Sequence, residues 1–433
     1  MRNDYDVIVV GGGTAGTIAA IQAGRTGAST LLVEKNGMLG GTMTVGGISA
    51  PAHFFAWGRR IIGGIGWELV RKAIEETGQA VPTPEYTRDN SRPRHVSVDR
   101  SIFAALCDEV VLDAGVDLLL HAMPAGAAFA DGRWRVGVCA KSGPQTVEAR
   151  ALIDCTGDAN VVGLAGFDLV RSDVVQPATL YIRCAGYDPD TLDYEALNRA
   201  SERAIAAGDL KTTDISWYDA GPERFLRSGG GNGNHLRAPG AETSEGRSAA
   251  EVEARRAVLR AYRFFRKQPG LENFRVDWMC PEAGIRETVT IKGKQTVTVE
   301  DYERGRAYED AVCHAFYQID EHLNDGKGIN KRQLEPGVLP TIPRGAMLPE
   351  GSRFLLVAGR CIASDREANS AIRVECPCMA MGQAAGAMAA LAARTGTDPE
   401  ELPIEDIQSL LREHGAIVPG DMAIGGMLPL AEE

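Results

Sequence analysis

The chain has 433 residues, a formal net charge of -12 and 44% hydrophobic residues, an ordinary globular composition with room for two or three domains of about 150 residues each. The acidic balance argues against nucleic acid as the main partner, because phosphate binding needs clustered Lys and Arg. Nine cysteines are scattered through apolar stretches without a Cys-x-x-Cys, so buried reduced thiols are expected rather than a zinc site or a disulfide framework.

Met1 to Asp4 is polar, so no signal peptide is expected, and no uninterrupted apolar run approaches bilayer length. These features predict a cytoplasmic protein without a membrane span. Asp6 to Glu34 then reads as strand, glycine turn, helix and second strand. The apolar run Val7 to Val10 suits a buried parallel strand, and Gly11, Gly13 and Gly16 supply Gly-x-Gly-x-x-Gly. Gly11 permits the turn out of the strand, Gly13 lets backbone approach a pyrophosphate, and Gly16 lets the helix pack against the sheet. The helix, expected from Thr14 to Gly27, points roughly half a positive charge at the phosphates. Glu34 ends the second strand, where an acid can accept both hydroxyls of an adenosine ribose. These residues point to a dinucleotide and leave open which one.

From Lys35 to Gly47 the glycine density suits a backbone lying flat against a ligand. Pro51 to Arg94 changes character, with Phe54, Phe55, Trp57 and Trp67, a helix expected from Gly66 to Thr77, and the breakers Pro82, Pro84 and Pro93. It reads as an insertion over the nucleotide domain. A helix from Asp99 to Ala114, a strand from Val116 to His121, a hairpin turning at Asp131-Gly132 and a strand from Ala151 to Cys155 follow. Thr156-Gly157-Asp158 closes that strand.

A second unit runs from Gly166 to about Gly345. It is expected to hold a strand at Ala178 to Cys184, helices at Asp190 to Ala207 and Ser248 to Lys267, and strands at Arg275 to Met279 and Glu287 to Lys292. The glycine-rich loop from Ser228 to His235 has neither a preceding apolar strand nor a following helix, so it reads as a flexible or substrate-covering loop. Nucleotide-domain style returns with a strand at Phe354 to Ala358, a small-residue helix from Cys378 to Arg394 behind Pro377, and a last helix from Ile404 to His414 ending at Gly415. The N-terminus at Cys378 either faces the pyrimidine end of a flavin or is only close-packed core.

Two absences narrow the chemistry. No second Gly-x-Gly-x-x-Gly unit exists, so a dedicated NAD(P)H domain is missing. Met43 follows Gly40-Gly41-Thr42 with no Cys-x-x-x-x-Cys, which excludes a dithiol relay. Candidate acid, base and orienting groups are His322, His235, His53, His314, Arg286, Glu287 and Arg373. Arg286 and Glu287 are adjacent and on a strand would face opposite sides.

Together these blocks resemble the bacterial FAD-dependent oxidoreductases of the glutathione-reductase superfamily, in the branch similar to fumarate reductase flavoproteins. The resemblance covers nearly the whole chain. It is carried by GGGTAGTIAAIQAGRTGASTLLVEKNGMLGGT, by LIDCTGDANVVGLAG from Leu152, by GIRETVTIKGKQTVTVEDYERGRAYEDAV from Gly284, by YQIDEH ending at His322, and by LLVAGRCIASDREANSAIRVECPCMAMGQAAG from Leu355. Arg366 stands where the last block more often has histidine. The resemblance implies FAD, with Gly11, Gly13, Thr14, Ala15, Gly16, Glu34 and Lys35 on its ADP half. Gly40, Gly41 and Thr42 would line the pyrophosphate and flavin, and Thr156, Gly157 and Asp158 would cover the cofactor. Gly359, Arg360, Met381, Gly382 and Gln383 would hold the ribityl and pyrimidine portion. His322 is the expected proton group, with Arg286 and Arg373 orienting a polar or anionic substrate.

The expected fold is α/β: a discontinuous Rossmann-type FAD-binding domain (1–50, 95–166 and 345–418), an insertion (51–94), an α+β substrate cap (167–344) and a tail (419–433). The expected reaction is hydride transfer between a small polar CH–OH or CH–NH substrate and the flavin. The alternatives are a C=C reductase or desaturase, and a flavoprotein passing electrons to a protein partner. Oxygen, a quinone or a protein would serve as electron acceptor, and an oligomer is compatible with all of this.

Overall fold

In the computed structural model, which describes residues 2–83, 96–217 and 221–421, the chain opens with β1 (Asp4–Val10), whose last four residues are buried. An unbroken apolar run belongs to a parallel strand covered on both faces. β1 turns into α1 (Thr14–Arg25) and returns as β2 (Thr30–Glu34), parallel to β1 with Val10 opposite Val33. After α2 (Gly64–Glu76) and α3 (Arg100–Asp113), β3 (Asp117–Leu120) joins β2 in parallel. Asp99 starts α3 by accepting from the N–H groups of Ser101 and Ile102, an N-cap satisfying two orphan donors. Phe54, Phe55 and Trp67 of the expected insertion are buried in the main core. Pro84 and Pro93 of that insertion, and the tail from residue 422, lie outside the described residues.

An antiparallel meander follows: β4 (Met123–Ala130), β5 (Arg133–Ala140) and β6 (Gly143–Asp154), with Asp131 and Gly132 at positive φ in the first turn. β6 is far longer than the expected Ala151–Cys155 strand because its two halves have different partners. Residues 143–149 pair with β5, while its later part pairs in parallel with β1. The polar-apolar alternation of its first half marks an open sheet face, which buried-strand reasoning passes over.

The cap is built on β7 (Ile182–Ala185), with α4 (Tyr194–Ala207), β8 (Gly230–Gly231), α5 (Ser244–Phe265) and β9 (Arg275–Met279). β7 lies between β8 and β9, antiparallel to both. The glycine-rich segment expected to be a free loop is thus partly an edge strand. α5 buries Ala250, Ala254, Ala257, Ala261, Phe264 and Phe265, a single helical face that closes a second core. That core draws on Ala178 to Ile285, whereas Val289, Val312, Ile319 and Ile342 are buried in the first core.

A hairpin of β10 (Ile319–His322) and β11 (Ile329–Arg332) precedes β12 (Leu355–Val357), which pairs with the end of β6 and completes the order β3-β2-β1-β6-β5-β4, with β12 beside β6. α6 (Glu375–Thr395) and α7 (Ile404–Glu413) end the described chain. α6 starts three residues before the expected Cys378, so Pro377 falls inside the first turn, where its missing N–H has no intrahelical partner to lose. Contrary to the expectation of no such run, α6 is apolar and long enough to cross a membrane, yet it is almost wholly buried as the central core helix.

Candidate active site

A cavity of about 1100 Å³ extends from the N-terminus of α1 to β10 and the cap, above the roughly 300–1,000 Å³ of ordinary small-molecule sites. At its nucleotide end Gly13 caps α1 without any side chain, and Gly13, Thr14 and Ala15 form part of the wall. The first amides of α1 therefore face the cavity as anion donors. Gly41 lies opposite, so close that a Cβ there would sit 2.7 Å from Gly13 Cα. This bare-backbone cradle is what a pyrophosphate requires. Glu34 is buried at the end of β2, accepting from the Gly12 N–H at 2.6 Å and the Asn36 N–H at 2.8 Å, and burial raises its carboxyl pKa. Its oxygens keep lone pairs for ribose hydroxyls. These residues fit the ADP half of a dinucleotide.

Lys35, Thr42, Thr156, Gly157, Asp158, Gly359 and Arg360 also line the cavity. Lys35 pairs with Glu282 of the cap, and Arg360 pairs with Asp158, which also accepts from Thr288 Oγ1 at 2.8 Å. The Lys35–Glu282 and Thr288–Asp158 contacts tie the nucleotide domain to the cap side. Gly11, with φ 99°, shares the wall, and a Cβ there would meet the Cys155 carbonyl oxygen at 2.4 Å. Gly16 and Gly40 do not reach it; Gly16 serves close packing, since a Cβ would fall 1.7 Å from the Gly11 oxygen.

Met381, Gly382 and Gln383, expected at the flavin, do not line the cavity. Met381 is fully buried, Gly382 meets α1, and Gln383 accepts from the Ile65 N–H and donates to Gln22 and His414. They bind helices to one another. The end of α6 that reaches the cavity is its first turn, with Arg373 and Val374 before it and Glu375 and Cys378 within it. Burial raises the Glu375 carboxyl to about 7, against the opposing pull of its own backbone and Arg373.

Arg286, Arg373 and His322 all line the far end of the cavity. Arg286 donates to the Pro177 carbonyl at 2.7 Å and to Thr179 Oγ1 at 2.9 Å, and Arg373 donates to Gln176 Oε1 at 3.2 Å and the Asp320 carbonyl at 3.3 Å. Neither appears in an ion pair among the described residues, and Arg373 Nε is buried without a partner. Burial, then the neighbouring Arg373 charge, lowers the Arg286 pKa to about 9. Glu287 turns away, accepting from the Gln176 N–H and pairing with Arg366, which also holds Glu321.

His322 sits between two partners: Nδ1 is 2.8 Å from His235 Nε2, and Nε2 is 3.2 Å from Asp320 Oδ2. Burial, and then the Arg286 charge, lower its pKa to about 3 despite Asp320, and the same causes bring His235 to about 2. Burial acts to raise Asp320, but the His322 hydrogen bond and the Arg373 and Lys331 charges outweigh it and bring the carboxyl to about 2. Trp217 stacks on His235, their rings 5.9 Å apart and 17° from parallel. His53 packs on Tyr317, which lines the cavity. His314 is buried elsewhere, away from the cavity. Asp320, Gln176 and Trp217 are site neighbours that motif reading passed over. Eight of the nine cysteines are buried; Cys139, on β5, is exposed.

The α/β sheet, the glycine cradle and the ribose-side acid define a dinucleotide-binding protein. The chain belongs to the FAD dependent oxidoreductase family, whose profile matches residues 6–411. FAD is its cofactor. Dihydrolipoyl dehydrogenase of Trypanosoma brucei brucei is 55% identical over 55 residues, 12% of either chain. Digeranylgeranylglycerophospholipid reductase of Methanoculleus marisnigri is 26% identical over 219 residues, 45% of this chain and 48% of that one. The chain thus spans less than half the length of these curated relatives. A geranylgeranyl bacteriochlorophyll reductase-like structure from Thermoplasma acidophilum aligns with TM-score 0.45 at 14% identity, covering 95% of this chain and 84% of that chain.

Proposed function

We propose that the enzyme oxidises a small anionic substrate at a CH–OH or CH–NH carbon. The observation that carries this is the Arg286 and Arg373 pair, two guanidiniums at the wall of the cavity without a carboxylate partner. Desolvated cations left unpaired are costly unless a ligand completes them, and a carboxylate bound by two guanidiniums does so with direction. FAD, when bound, supplies the two-electron acceptor for a hydride.

The chain's own residues do the rest. Gly13, Thr14, Ala15, Gly41 and Glu34 would hold the ADP half, with Thr42, Thr156, Gly157, Asp158, Gly359 and Arg360 along the remainder. Arg286 and Arg373 would fix the substrate carboxylate and so aim its α-carbon. His322, in contact with His235 at Nδ1 and with Asp320 at Nε2, would take up the hydroxyl or ammonium proton together with His235. The cap covers this end and limits water.

The test is anaerobic mixing of the FAD-loaded protein with lactate and alanine, beside neutral alcohols and amines of similar size, while flavin absorbance is followed. Bleaching by the acids and not by the neutral analogues is the expected result. If none bleaches, and the dithionite-reduced protein is instead reoxidised by fumarate or other enoates, C=C reduction replaces this reading.

A further inference from the structure

His322 and His235 are 87 positions apart, and the cap brings them into contact. A carboxylate can only accept hydrogen bonds, so the Asp320 contact places the hydrogen of neutral His322 on Nε2. His322 Nδ1 then accepts, and His235 donates from Nε2. This leaves His235 Nδ1 a buried lone pair to which no group donates. A further proton entering there would push the shared hydrogen onto His322, making an imidazolium beside Asp320. His235 would then keep its hydrogen on Nδ1, where the Leu323 backbone favours it.

The surrounding charge opposes that proton. Arg286 faces the pair from the segment before residues 289–291, and Arg373 from the approach to α6. Lys331 on β11 stands 3.9 Å from Asp320 Oδ1, and Arg224 lies 4.4 Å from the centre of the Trp217 ring that covers His235. Tyr317 adds a phenol nearby, and Glu321, next in the strand, is taken up by Arg366. Glu375, in the first turn of α6 on the same wall, is a second titratable acid, and Asp320 is the acid in contact with the chain.

We propose that Asp320, His322 and His235 form an anion-gated proton acceptor, empty while no ligand carboxylate lies between Arg286 and Arg373 and able to hold one proton once one does. His235 is the positioning residue: it gives His322 Nδ1 either a donor or an acceptor and so sets which His322 nitrogen is basic. The substrate's own charge thereby turns on the base that removes its proton. This rests on the anionic-substrate reading above.

The test uses the FAD-loaded protein and oxalate, an unreactive dianion whose charge does not change across the range in which histidines titrate. If binding is linked to uptake of one proton, the oxalate Kd falls by about tenfold for each pH unit lowered across the acid part of that range. Calorimetry in buffers of different ionisation enthalpy should then count up to one proton taken up per oxalate. The double variant His235→Asn/His322→Gln, in which neither ring is left to take the proton, should bind oxalate with a flat pH profile; a slope that survives there belongs to Glu375 and overturns the gate. Binding by the unaltered protein with a flat profile and no proton uptake overturns the gate and leaves the anion site standing. Failure of oxalate, acetate and lactate alike to bind overturns the anion site itself, and the gate with it.

Discussion

A Cβ placed on Gly382 would lie 2.1 Å from the carbonyl oxygen of Ala15. α6 and α1 are therefore in backbone contact at the point where α1 presents its N-terminus to the cofactor. Gly382→Ala must push the helices apart, and overpacking of this kind costs about 1–3 kcal/mol. The expected result is a lower Tm for the apoprotein. FAD should also bind more weakly, because the amides of Thr14 and Ala15 move with α1. An unchanged Tm would mean that the helices slide apart without cost.

Glu34 holds the first turn from both sides through the N–H groups of Gly12 and Asn36. Glu34→Gln puts an amide N–H2 against one of those donors and removes the charge. Hydrogen bonds to a charged group contribute about 1.5–3 kcal/mol, so FAD affinity should fall by about tenfold or more. Recovery of flavin fluorescence on dilution of the loaded protein measures it.

Arg373→Met keeps the length of the side chain and removes the charge. On the proposed reading, KM for an anionic substrate should rise by about ten- to a hundredfold, corresponding to loss of a charge-assisted contact of about 1.5–3 kcal/mol. FAD content should be unchanged. Equal loss toward acids and neutral analogues would show that the guanidinium supports the fold rather than the substrate.

The cap carries its own buried ion pair. Asp214 is 2% exposed and accepts from Arg260 through both oxygens, each at 2.8 Å. Arg260→Met leaves that carboxylate buried without its partner, which typically costs about 3–5 kcal/mol. Cap residues should become the first sites of proteolysis. Asp214→Asn combined with Arg260→Met should recover much of the loss, because the stranded charge is then gone.

The parts of this site written in local spacing were readable from sequence. Gly11, Gly13, Gly16 and Glu34 lie within one strand-turn-helix-strand unit, and the structure brings Gly11, Gly13 and Glu34 to one cavity with Gly16 packed behind them. Gly382 was not readable in this way. A small residue in a helix suits close approach to a ligand or to another helix equally well, and here its neighbour is Ala15. Asp320 had a usable signal, since residues two apart on a strand share a face and His322 was already a candidate. His235 had none beyond its residue type, because only the folding of the cap onto β10 sets it against His322. The extra length of β6 was missed for a similar reason: its partner changes halfway along.

The buried titratable groups pull stability in opposite directions with pH. His322 is lowered from 6.5 to about 3, and His235 from 6.5 to about 2. Below pH 6.5 the unfolded chain binds protons that the folded chain refuses, so these two lower stability as pH falls from 6.5 toward their folded values. Glu375 is raised from 4.5 to about 7. Between those values the folded chain holds a proton that the unfolded chain has released, so this group lowers stability as pH rises from 4.5 to 7. With buried His314 also lowered, to about 4, three histidines oppose Glu375 on the acid side, and Tm of the apoprotein should climb from about pH 5 to about 6.5. His322→Gln should flatten that climb. Glu375→Gln should instead steepen it, by removing the opposing group. Thermal unfolding at constant ionic strength separates the two, and a climb steepened by the histidine change would reverse the assignment. An anion that neutralises Arg286 and Arg373 should weaken the acid loss in the unaltered protein, because it lets the histidine pair accept its proton in the folded state.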